Sequence, residues 1–366
     1  MKCCLRREVL LKPLQQVSNV VEKRQTLPVL SNLLLQVRDN QLVMTATDLE
    51  VELKATLTLD GSHQNGEITV PARKLTDICR SLPDGVEIQL NVEDDRCKVL
   101  AGRSRYTLST LPAGEFPGTE QLQPEDRFSV PANELSTLMA SSAFAMAQQD
   151  VRYFLNGMLL DIQEARLRAV ATDGHRLACS QWMMPESRQA RQLIVPRKAV
   201  LEMMRLLPDE DQAVDLELGE KHIRMQMPGL VFTSKLIDGK YPDYESVIPV
   251  GVDNVIRANR ELLLETIRRT AILSNEKYRA IRLEVKDSTL RLTAHNTEQE
   301  EAVEEMEVDY QGQELKVVFN YAYLLEAMNA LKGEQVEICL RDAMTSCLIR
   351  DPETDEQLHV VMPLKL

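Results

Sequence analysis

Two aspartates that directly follow apolar stretches are the clearest candidates for catalytic chemistry. Asp173 lies in the stretch ATDGHRLA, two residues before His175, and Asp48 lies in the related stretch TATDLE. A carboxylate beside an imidazole could transfer protons or bind a metal. However, His175 has no equivalent beside Asp48, and a third related stretch carries Asn296 instead of an aspartate. No HExxH, GxSxG or Walker pattern is present. Because an aspartate after a strand more often caps a turn, we predict structural turns and no catalytic residues.

Basic residues recur at the start of two predicted helices. VPARK and IVPRK each lead from a strand into a helix, and they place Arg73 and Lys198 in its first turn. Arg80 and Arg205 follow seven residues later, which puts each pair on one helical face. Cations at a helix N-terminus oppose the helix dipole, so this arrangement favours an anionic partner over stability. No aromatic residues interleave the cations, and contact with a nucleic-acid backbone fits better than base stacking.

The acidic run EQEEAVEE at residues 298–305 has a basic counterpart near the start of the chain. Arg96, Lys98, Arg103 and Arg105 lie along one predicted pair of strands. An acidic run is usually a solvated surface, but opposite charges at the two ends of a chain can pair between subunits. The two stretches therefore predict a head-to-tail contact between copies of the chain.

These candidate residues belong to a unit that occurs three times. Asp48 and Asp173 are 125 residues apart, and so are Pro71 and Pro196. Asn320 begins the third, more divergent copy of the second landmark, 124 residues after Pro196. Solenoid repeats have periods of 20–50 residues, whereas a unit of this length is a domain with its own core. Pro-rich joints at 111–126 and 241–254 give predicted domains at 1–120, 121–250 and 251–366.

Each copy has the same predicted order of elements. An amphipathic helix opens the copy, and two strands follow that read as a hairpin. A further strand then leads directly into a second helix, and two or three strands end the copy. Each domain is therefore predicted to contain two helices and about eight strands, which is an α+β fold. The six predicted helices span 5–24, 72–80, 132–152, 197–206, 257–269 and 321–332.

Charge is distributed unevenly between these elements. The whole chain carries a net charge of −13, which alone argues against a nucleic-acid partner. The six predicted helices carry +8 in total, however, which leaves −21 for the rest of the chain. This segregation is typical of a protein with one basic face, although solvated helix faces of random sign are the alternative.

The remaining composition is that of an ordinary globular protein. Hydrophobic residues make up 44% and charged residues 27% of the 366 residues. No run approaches 18 apolar residues, and the N-terminal stretch lacks the apolar core of a signal peptide, so we predict no membrane span and a cytoplasmic location. Seven cysteines without a repeated spacing argue against a disulfide framework. No ligand set supports a metal or another cofactor.

Taken in order, ten stretches of the chain resemble the bacterial DNA sliding clamps, the beta subunits of DNA polymerase III. They are TLPVLSNLLL, TDLE, VPARK, GRSRYTLSTLP, QDVRYFLNGML, ATDGHRLA, IVPRK, FTSKLIDGKYPDY, AILSNEKYR and the C-terminal VMPLKL. The resemblance runs from Leu5 to Leu366 without a large gap. It departs at Cys3-Cys4 and at Ser246, and the second departure leaves the details of partner binding open.

The resemblance implies a ring-forming DNA clamp architecture. Two chains of three domains would close into a homodimeric ring, with helices lining the hole and sheets outside. Such a protein is a non-catalytic processivity factor that encircles double-stranded DNA without sequence preference. It tethers the polymerase III catalytic subunit, the clamp loader, and other polymerases and repair proteins through short peptide motifs. Methionines would suit the docking pocket, because a flexible thioether repacks around different ligands.

The resemblance also assigns residues to three sites. The implied DNA contacts are Arg24, Arg73, Gln149, Tyr153 and Phe154, with Arg80, Lys198 and Arg205 in support. The implied wall of the partner-peptide pocket is Leu155, Thr172, Gly174, His175, Arg176, Leu177, Pro242, Val247, Asn320, Tyr323, Met344, Ser346, Val360, Met362, Pro363 and Leu364, with His175 and Arg176 at the rim. The expected dimer interface pairs outward-facing Tyr106 and Leu108 with Ile272 and Leu273, and Arg96, Arg103 and Arg105 with Glu298, Glu300, Glu301 and Glu304.

Two alternatives remain open from the residues alone. One is an enzyme that uses Asp173 and His175, and the other is a protein-binding scaffold that is too acidic to bind DNA. Retention on circular but not on linear DNA distinguishes a clamp from both alternatives.

Overall fold

The computed structural model describes residues 1–21, 27–118, 123–208 and 212–365. These residues contain six α-helices and 22 strands, which confirms the α+β class. The chain divides into two compact units, one of Met1–Asn133 with Arg205–Leu236 and one of Glu134–Met204 with Ile237–Leu366. None of the helices in the described ranges is long and apolar enough to cross a membrane.

Every helix begins on the residue that follows the end of a strand. The helices are α1 (Arg7–Ser18), α2 (Ala72–Ser81), α3 (Ala132–Ala143), α4 (Arg197–Leu206), α5 (Arg260–Ala271) and α6 (Tyr321–Ala330). Proline ends the preceding strand before α2, α3 and α4 because it has no N–H to continue a ladder. Before α5 and α6, Asn259 and Asn320 instead cap the helix, and their side chains accept hydrogen bonds from the backbone N–H of Leu262 and Ala322.

Groups of strands separate these helices along the chain. In the first half they are β1 (Lys2–Arg6), β2 (Asn32–Arg38), β3 (Gln41–Thr47), β4 (Val51–Thr58), β5 (Gly66–Pro71), β6 (Glu87–Glu93), β7 (Arg96–Ala101), β8 (Ser104–Ser109), β9 (Asp126–Pro131), β10 (Gly157–Thr172) and β11 (Arg176–Pro196). In the second half they are β12 (Ala213–Leu218), β13 (His222–Met227), β14 (Leu230–Lys235), β15 (Asn254–Asn259), β16 (Ala280–Lys286), β17 (Thr289–His295), β18 (Glu301–Glu307), β19 (Leu315–Asn320), β20 (Gln335–Leu340), β21 (Cys347–Arg350) and β22 (Gln357–Val361).

Several predicted bounds were wrong because tertiary pairing overrides local helical periodicity. The helix expected over 5–24 starts only at Arg7, since residues 2–6 pair with β6. Likewise, residues 257–259 end β15 against β20 instead of opening α5. The helix expected over 132–152 ends at Ala143. Short 3-10 helices, Pro28–Ser31 and Tyr153–Leu155, precede β2 and β10.

The first unit contains two antiparallel sheets. One has four strands in the order β1-β6-β7-β8, and the other has eight in the order β5-β2-β3-β4-β14-β13-β12-β9. Helices α1 and α2 pack together, with a hydrogen bond of 2.8 Å between the hydroxyls of Ser18 and Thr76. Leu10, Leu14 and Leu75 are fully buried and form the apolar faces of these two helices.

The second unit also contains two antiparallel sheets. A six-stranded sheet has the order β10-β11-β22-β21-β20-β15, and a four-stranded sheet has the order β18-β17-β16-β19. The buried core beneath them includes Leu263 and Ile267 of α5 and Leu324 of α6, packed against Phe319 of β19.

The two larger sheets each join strands from successive copies of the repeat. In the first unit the joint is the antiparallel pair β4–β14, and in the second unit it is β11–β22. The two four-stranded sheets are left with β8 and β18 as edge strands that pair with a single neighbour each among the described strands.

Candidate functional site

The two aspartates suspected of catalysis are turn caps. The Asp48 carboxylate accepts hydrogen bonds from the backbone N–H of the second and third residues after it, at 2.9 and 2.8 Å. Asp173 does the same at 2.9 and 3.1 Å. In the third copy, the Asn296 side-chain oxygen accepts from the N–H of Glu298 and Glu300. The turn prediction is therefore confirmed for both aspartates, and Asn296 caps the equivalent turn of the third copy. No cluster of potential metal ligands occurs within the described ranges.

Arg176 follows the turn at Asp173, and its side chain packs against two aromatic rings. Its guanidinium lies 4.5 Å from the ring centroid of Tyr323 and 5.3 Å from that of Phe144. It also donates hydrogen bonds to Asp173 at 3.1 Å, to the Phe144 carbonyl at 2.7 Å, and to Glu326. Only 10% of the Arg176 side chain is exposed. His175 is exposed, whereas Arg176 is half-buried.

The C-terminal segment runs along the same site. β22 pairs with β11, so that Val360 lies opposite Leu177. Beyond the strand, the Met362 N–H donates to the His175 carbonyl at 3.0 Å, and the Leu364 N–H donates to the Val318 carbonyl at 2.8 Å. The apolar end of the chain is therefore held in place by backbone hydrogen bonds.

A short segment, residues 241–247, packs beside the C-terminal strand β22. Tyr241 and Tyr244 are buried in one apolar cluster with Leu155, Leu177 and Val360. The intervening Pro242 and the following Val247 are exposed, and Val247 belongs to the 3-10 turn Glu245–Val247.

A polar network anchors this segment to β10. The Tyr244 hydroxyl donates to the buried carboxylate of Asp161 at 2.6 Å. Arg168 donates to the Tyr244 oxygen at 2.9 Å and to the Glu245 carboxylate at 2.6 Å. Burial, together with the bond to Asp161, raises the pKa of Tyr244. The network fixes the segment 241–247 to β10. The sequence did not indicate this network, because its members are distant in sequence and come together only in the folded chain.

The predicted pocket residues all lie in the second unit, around these contacts. Asn320 caps α6 one turn before Tyr323, and Met344 is exposed in a turn whose backbone N–H groups bond to Asp342. Ser346 directly precedes β21, the neighbour of β22. Thr172 accepts the Gly174 N–H and donates to the Arg176 carbonyl, which closes the turn.

Gly174 and Arg152 are coupled in a way that the sequence did not indicate. Gly174 has φ +87°, and a Cβ there would lie 2.8 Å from an Arg152 guanidinium nitrogen. Arg152 is held by Asp150, and this bond lowers the pKa of Asp150 to about 2. The stretch QDVR places Asp150 two residues before Arg152, which suggests their ion pair, but it does not indicate that Arg152 contacts Gly174.

The predicted DNA-contacting residues are mostly on exposed surface. Arg73 and Arg80 are exposed on α2, while Lys198 is half-buried and Arg205 exposed on α4. Gln149, Tyr153 and Phe154 lie in the segment between α3 and β10, with the Tyr153 and Phe154 rings 5.7 Å apart in an edge-on arrangement. Arg24 lies outside the described residues. The six helices carry eleven basic and seven acidic side chains, an excess of +4 that is smaller than the predicted +8 because the helices are shorter.

The predicted interface residues lie on or near the two edge strands. Arg103 and Arg105 are exposed before and within β8, and neither has an ion-pair partner among the described residues. Ile272 is 75% exposed at the end of α5, and Leu273 is half-buried. Arg96 lies on β7 and donates to Ser109.

One expectation about these edge residues needs correction. Leu108 was expected to face outward, but it is only 6% exposed, because its side of β8 packs on the core of the first unit. Tyr106 is half-buried. Glu304 already accepts hydrogen bonds from Arg269, and Glu300 from Asn296. Glu298 bonds to Thr297 and Glu301 lies 3.6 Å from His295.

The whole length of the chain matches one family. Residues 1–120 match the N-terminal domain of the DNA polymerase III beta subunit, residues 129–243 its central domain and residues 245–365 its C-terminal domain. The beta sliding clamp of Pseudomonas aeruginosa is 52% identical over 363 residues, which are 99% of each chain. That of Escherichia coli is 47% identical over 366 residues, which are 100% of each chain.

Solved structures agree with these sequence matches. A crystal structure of the DNA polymerase III subunit beta from Pseudomonas aeruginosa matches with a TM-score of 0.97 at 51% identity, covering 100% of both chains. A structure of the same subunit from Caulobacter crescentus matches with a TM-score of 0.95 at 38% identity, again over 100% of both chains.

Proposed function

Because this chain belongs to the family of bacterial beta sliding clamps, the beta subunits of DNA polymerase III, we propose that two copies close into a ring around duplex DNA and dock polymerases through the cleft beside Arg176. The chain is a non-catalytic processivity clamp of DNA polymerase. Its partners are accordingly DNA and a polymerase. The homodimer, the individual partners and the site residues are the proposed part.

The main support for a ring is the strand pairing between successive copies of the repeat. Two such pairings occur among the described residues, and a third of the same kind does not. β4 pairs with β14 to join the first copy to the second, and β11 pairs with β22 to join the second copy to the third. By the same repeat, β18 of the third copy should pair with β8 of a first copy. Both are edge strands of four-stranded sheets. A second chain would complete both joints, and an exposed edge is otherwise prone to uncontrolled pairing. Three domains at about 1–120, 121–250 and 251–366 fit this pattern.

Charge and apolar surface at these edges support the same pairing. β18 is rich in glutamate, and Arg103 and Arg105 at β8 offer guanidinium groups without internal ion pairs. Surface ion pairs contribute only about 0–1 kcal/mol each. The apolar part of the interface, with the exposed Ile272 beside Leu273, should therefore supply most of the binding energy.

DNA contact is proposed to fall on the helices. Their excess of basic side chains contrasts with the net charge of −13 for the chain. Exposed Arg73 and Arg80 on one face of α2, with Lys198 and Arg205 on α4, suit contact with phosphates, which positions a protein on DNA without reading sequence. Arg24, Gln149, Tyr153 and Phe154 complete the proposed set.

The cleft beside Arg176 is proposed to dock short apolar peptide segments. Its side chains are apolar at Leu155, Leu177 and Val360, flexible at Met344 and Met362, and hydrogen-bonding at the exposed His175. The expected ligands are segments of the polymerase III catalytic subunit, the clamp loader, and other polymerases and repair proteins. These ligands should compete for one site per chain.

Topology provides the decisive test. The clamp is loaded onto a nicked circular plasmid with a clamp loader and ATP, and the DNA is isolated by gel filtration at high salt. We expect the clamp to stay on the circle and to be lost after the plasmid is cut once. As the matched control, protein blocks at both ends of the cut plasmid should restore retention. Equal retention on open linear and circular DNA would contradict encirclement.

A further inference from the structure

A cleft in the first unit, the first cleft, has the same construction as the proposed docking cleft in the second unit, the second cleft. It is a half-open cavity of about 150 Å³. Its lining comes from Thr47 and residues 49–52 of the turn, from Pro117 and Gly118, and from three residues on β13 and β14, namely His222, Thr233 and Lys235. None of these residues belongs to the sites described above.

The turns of the two clefts correspond residue by residue. Residues 47–52 precede residues 172–177 by 125 positions, and Pro117 precedes Pro242 by the same number. In each turn the aspartate at the second position caps the backbone in the same way. The repeat therefore builds both clefts from equivalent segments.

The strands that complete the two clefts also correspond. The Lys235 N–H donates to the Glu50 carbonyl at 2.9 Å, as the Met362 N–H donates to the His175 carbonyl at 3.0 Å. Lys235 therefore takes the place of Met362.

Strand register gives the two remaining equivalents. Thr233 pairs with Glu52 as Val360 pairs with Leu177, so Thr233 takes the place of Val360. His222 pairs with Lys235 across β13 and β14 and takes the place of the residue that precedes β21, which is Ser346.

The chemistry of the first cleft differs from that of the second. Leu177 is replaced by Glu52 and Met362 by Lys235, so two apolar positions have become charged. Glu52 is buried and compensated within the chain, because Lys54 lies 2.9 Å from its carboxylate. The exposed Lys235 has no ion-pair partner among the described residues. A ligand that occupies the equivalent position should therefore supply a carboxylate.

Apolar contact surface remains at the mouth of the first cleft. Leu49 stands where the second cleft has Gly174, and it keeps a φ of +79°, a left-handed conformation that is costly for a leucine. Its side chain is 45% exposed, beside Val51 and Pro117 in the lining. A partner could cover the exposed part of this leucine.

We propose that the first cleft is a second docking site, which binds an extended peptide segment whose aliphatic side chain contacts Leu49 and Pro117 and whose neighbouring acidic side chain pairs with Lys235. The proposal rests on the proposed function in one respect, since it takes the second cleft to be a peptide site. Different ligand chemistry at the two clefts would let one chain hold two proteins at the same time.

The test uses three tetrapeptide probes and the full chain labelled at leucine and valine methyl groups. The probes are acetyl-Leu-Glu-Leu-Glu-amide, its glutamine analogue and its lysine analogue. We expect the acidic probe to cause saturable shifts in the methyl signals of Leu49 and Val51. Lys235→Glu should weaken this binding by about tenfold, as expected for one charged hydrogen bond, while Lys235→Arg should preserve it. Lys286→Glu, the same charge reversal at an exposed lysine of β16 outside the first cleft, should not weaken it.

A truncated variant distinguishes binding at the first cleft from binding at the second cleft. Removal of residues 362–366 disrupts the second cleft, and the Leu49 and Val51 shifts should persist in that variant with unchanged affinity. Shifts confined to Leu177 and Val360, equal binding of the glutamine or lysine probe at Leu49, or no shift at millimolar probe would each overturn the proposal. Methyl signals of Lys235→Glu that match those of the wild type outside the first cleft would show that the variant is folded.

Discussion

At the residue scale, His359 of β22 is almost fully buried in the six-stranded sheet. Neither of its ring nitrogens has a hydrogen-bond partner within the described residues. Its ring lies 5.6 Å from the Phe144 ring, and the Arg176 guanidinium lies over that same Phe144 ring. Burial lowers the pKa of His359 from 6.5 to about 3, because a charged imidazole would be desolvated without a partner. The folded protein therefore keeps this histidine neutral.

This burial predicts a loss of stability in mild acid. Below pH 6.5, His359 is protonated in the unfolded chain but stays neutral in the folded chain. The free energy of unfolding is therefore highest above pH 6.5 and decreases as the pH falls toward 3. The slope is about 1.4 kcal/mol per pH unit for one group. Urea unfolding at pH 7.5 and pH 5, at fixed protein concentration, should show a smaller pH dependence in His359→Leu than in the wild type. His63→Gln, at a less buried histidine, serves as the control, and identical slopes in His359→Leu and wild type would contradict the prediction.

Residues that act within one turn could be predicted from the sequence, and residues that act across the fold could not. Asp48, Asp173 and Asn296 cap turns through backbone groups two to four residues away, which local pattern reveals. Arg176 instead meets Phe144 and Tyr323, which are distant in sequence and come together only when β11, α3 and α6 pack. Its packing between these two rings was therefore not predictable, although the resemblance had placed Arg176 at the rim of the pocket.

At the element scale, the C-terminal segment should be needed for docking but not for assembly. Its described part bonds to His175 and Val318 inside the second unit, while the proposed interface uses β8 and β18. We expect removal of residues 362–366 to abolish binding of a polymerase-derived apolar peptide, measured by fluorescence anisotropy. Sedimentation should still show the dimer. Peptide affinity equal to that of the wild type would contradict the assignment of the cleft.

The order of elements was predictable, whereas several boundaries were not. Strand-to-helix junctions at Pro71 and Pro196 follow from a proline that ends a ladder. Residues 5–6 and 257–259 were predicted to be helical but pair with β6 and β20, and these partners lie about 80 residues away. Local sequence does not specify such distant pairing, and for the same reason the inward packing of Leu108 was missed.

The proposed contact between β8 and β18 predicts which substitutions produce monomers. Ile272 is the most exposed apolar residue near this edge, at 75% exposure, and Leu273 follows it. Truncation of both to alanine removes several buried methyl groups per contact, at about 1 kcal/mol for each, and the contact occurs twice. We expect Ile272→Ala with Leu273→Ala to sediment as a monomer at micromolar concentration. Glu300→Gln, the matched surface control, should remain dimeric, and a dimer that survives the double alanine change would refute the interface.

At the scale of the whole molecule, an acidic protein must bind an acidic polymer. The net charge of −13 opposes DNA binding at long range, while the six helices carry a net positive charge. Salt screens repulsion between distant charges over about 10 Å at 0.1 M, so contacts at short range decide the outcome. Weak, local and sequence-independent attraction suits a protein that must slide, because strong or base-specific contacts would hold it at one place.

This balance predicts how DNA binding responds to salt and to sequence. Binding to open linear duplexes, measured by anisotropy between 50 and 200 mM salt, should weaken steeply and should be equal for duplexes of different sequence. Each phosphate contact adds about 0.9 to the slope of log affinity against log salt concentration. Arg73→Ala with Arg80→Ala, both exposed on α2, should therefore lower the slope. Arg282→Ala with Arg291→Ala makes the same charge change on strands β16 and β17, and it should leave the slope unchanged. Equal effects of the two pairs would mean that net charge controls binding, and the helices would then have no special role.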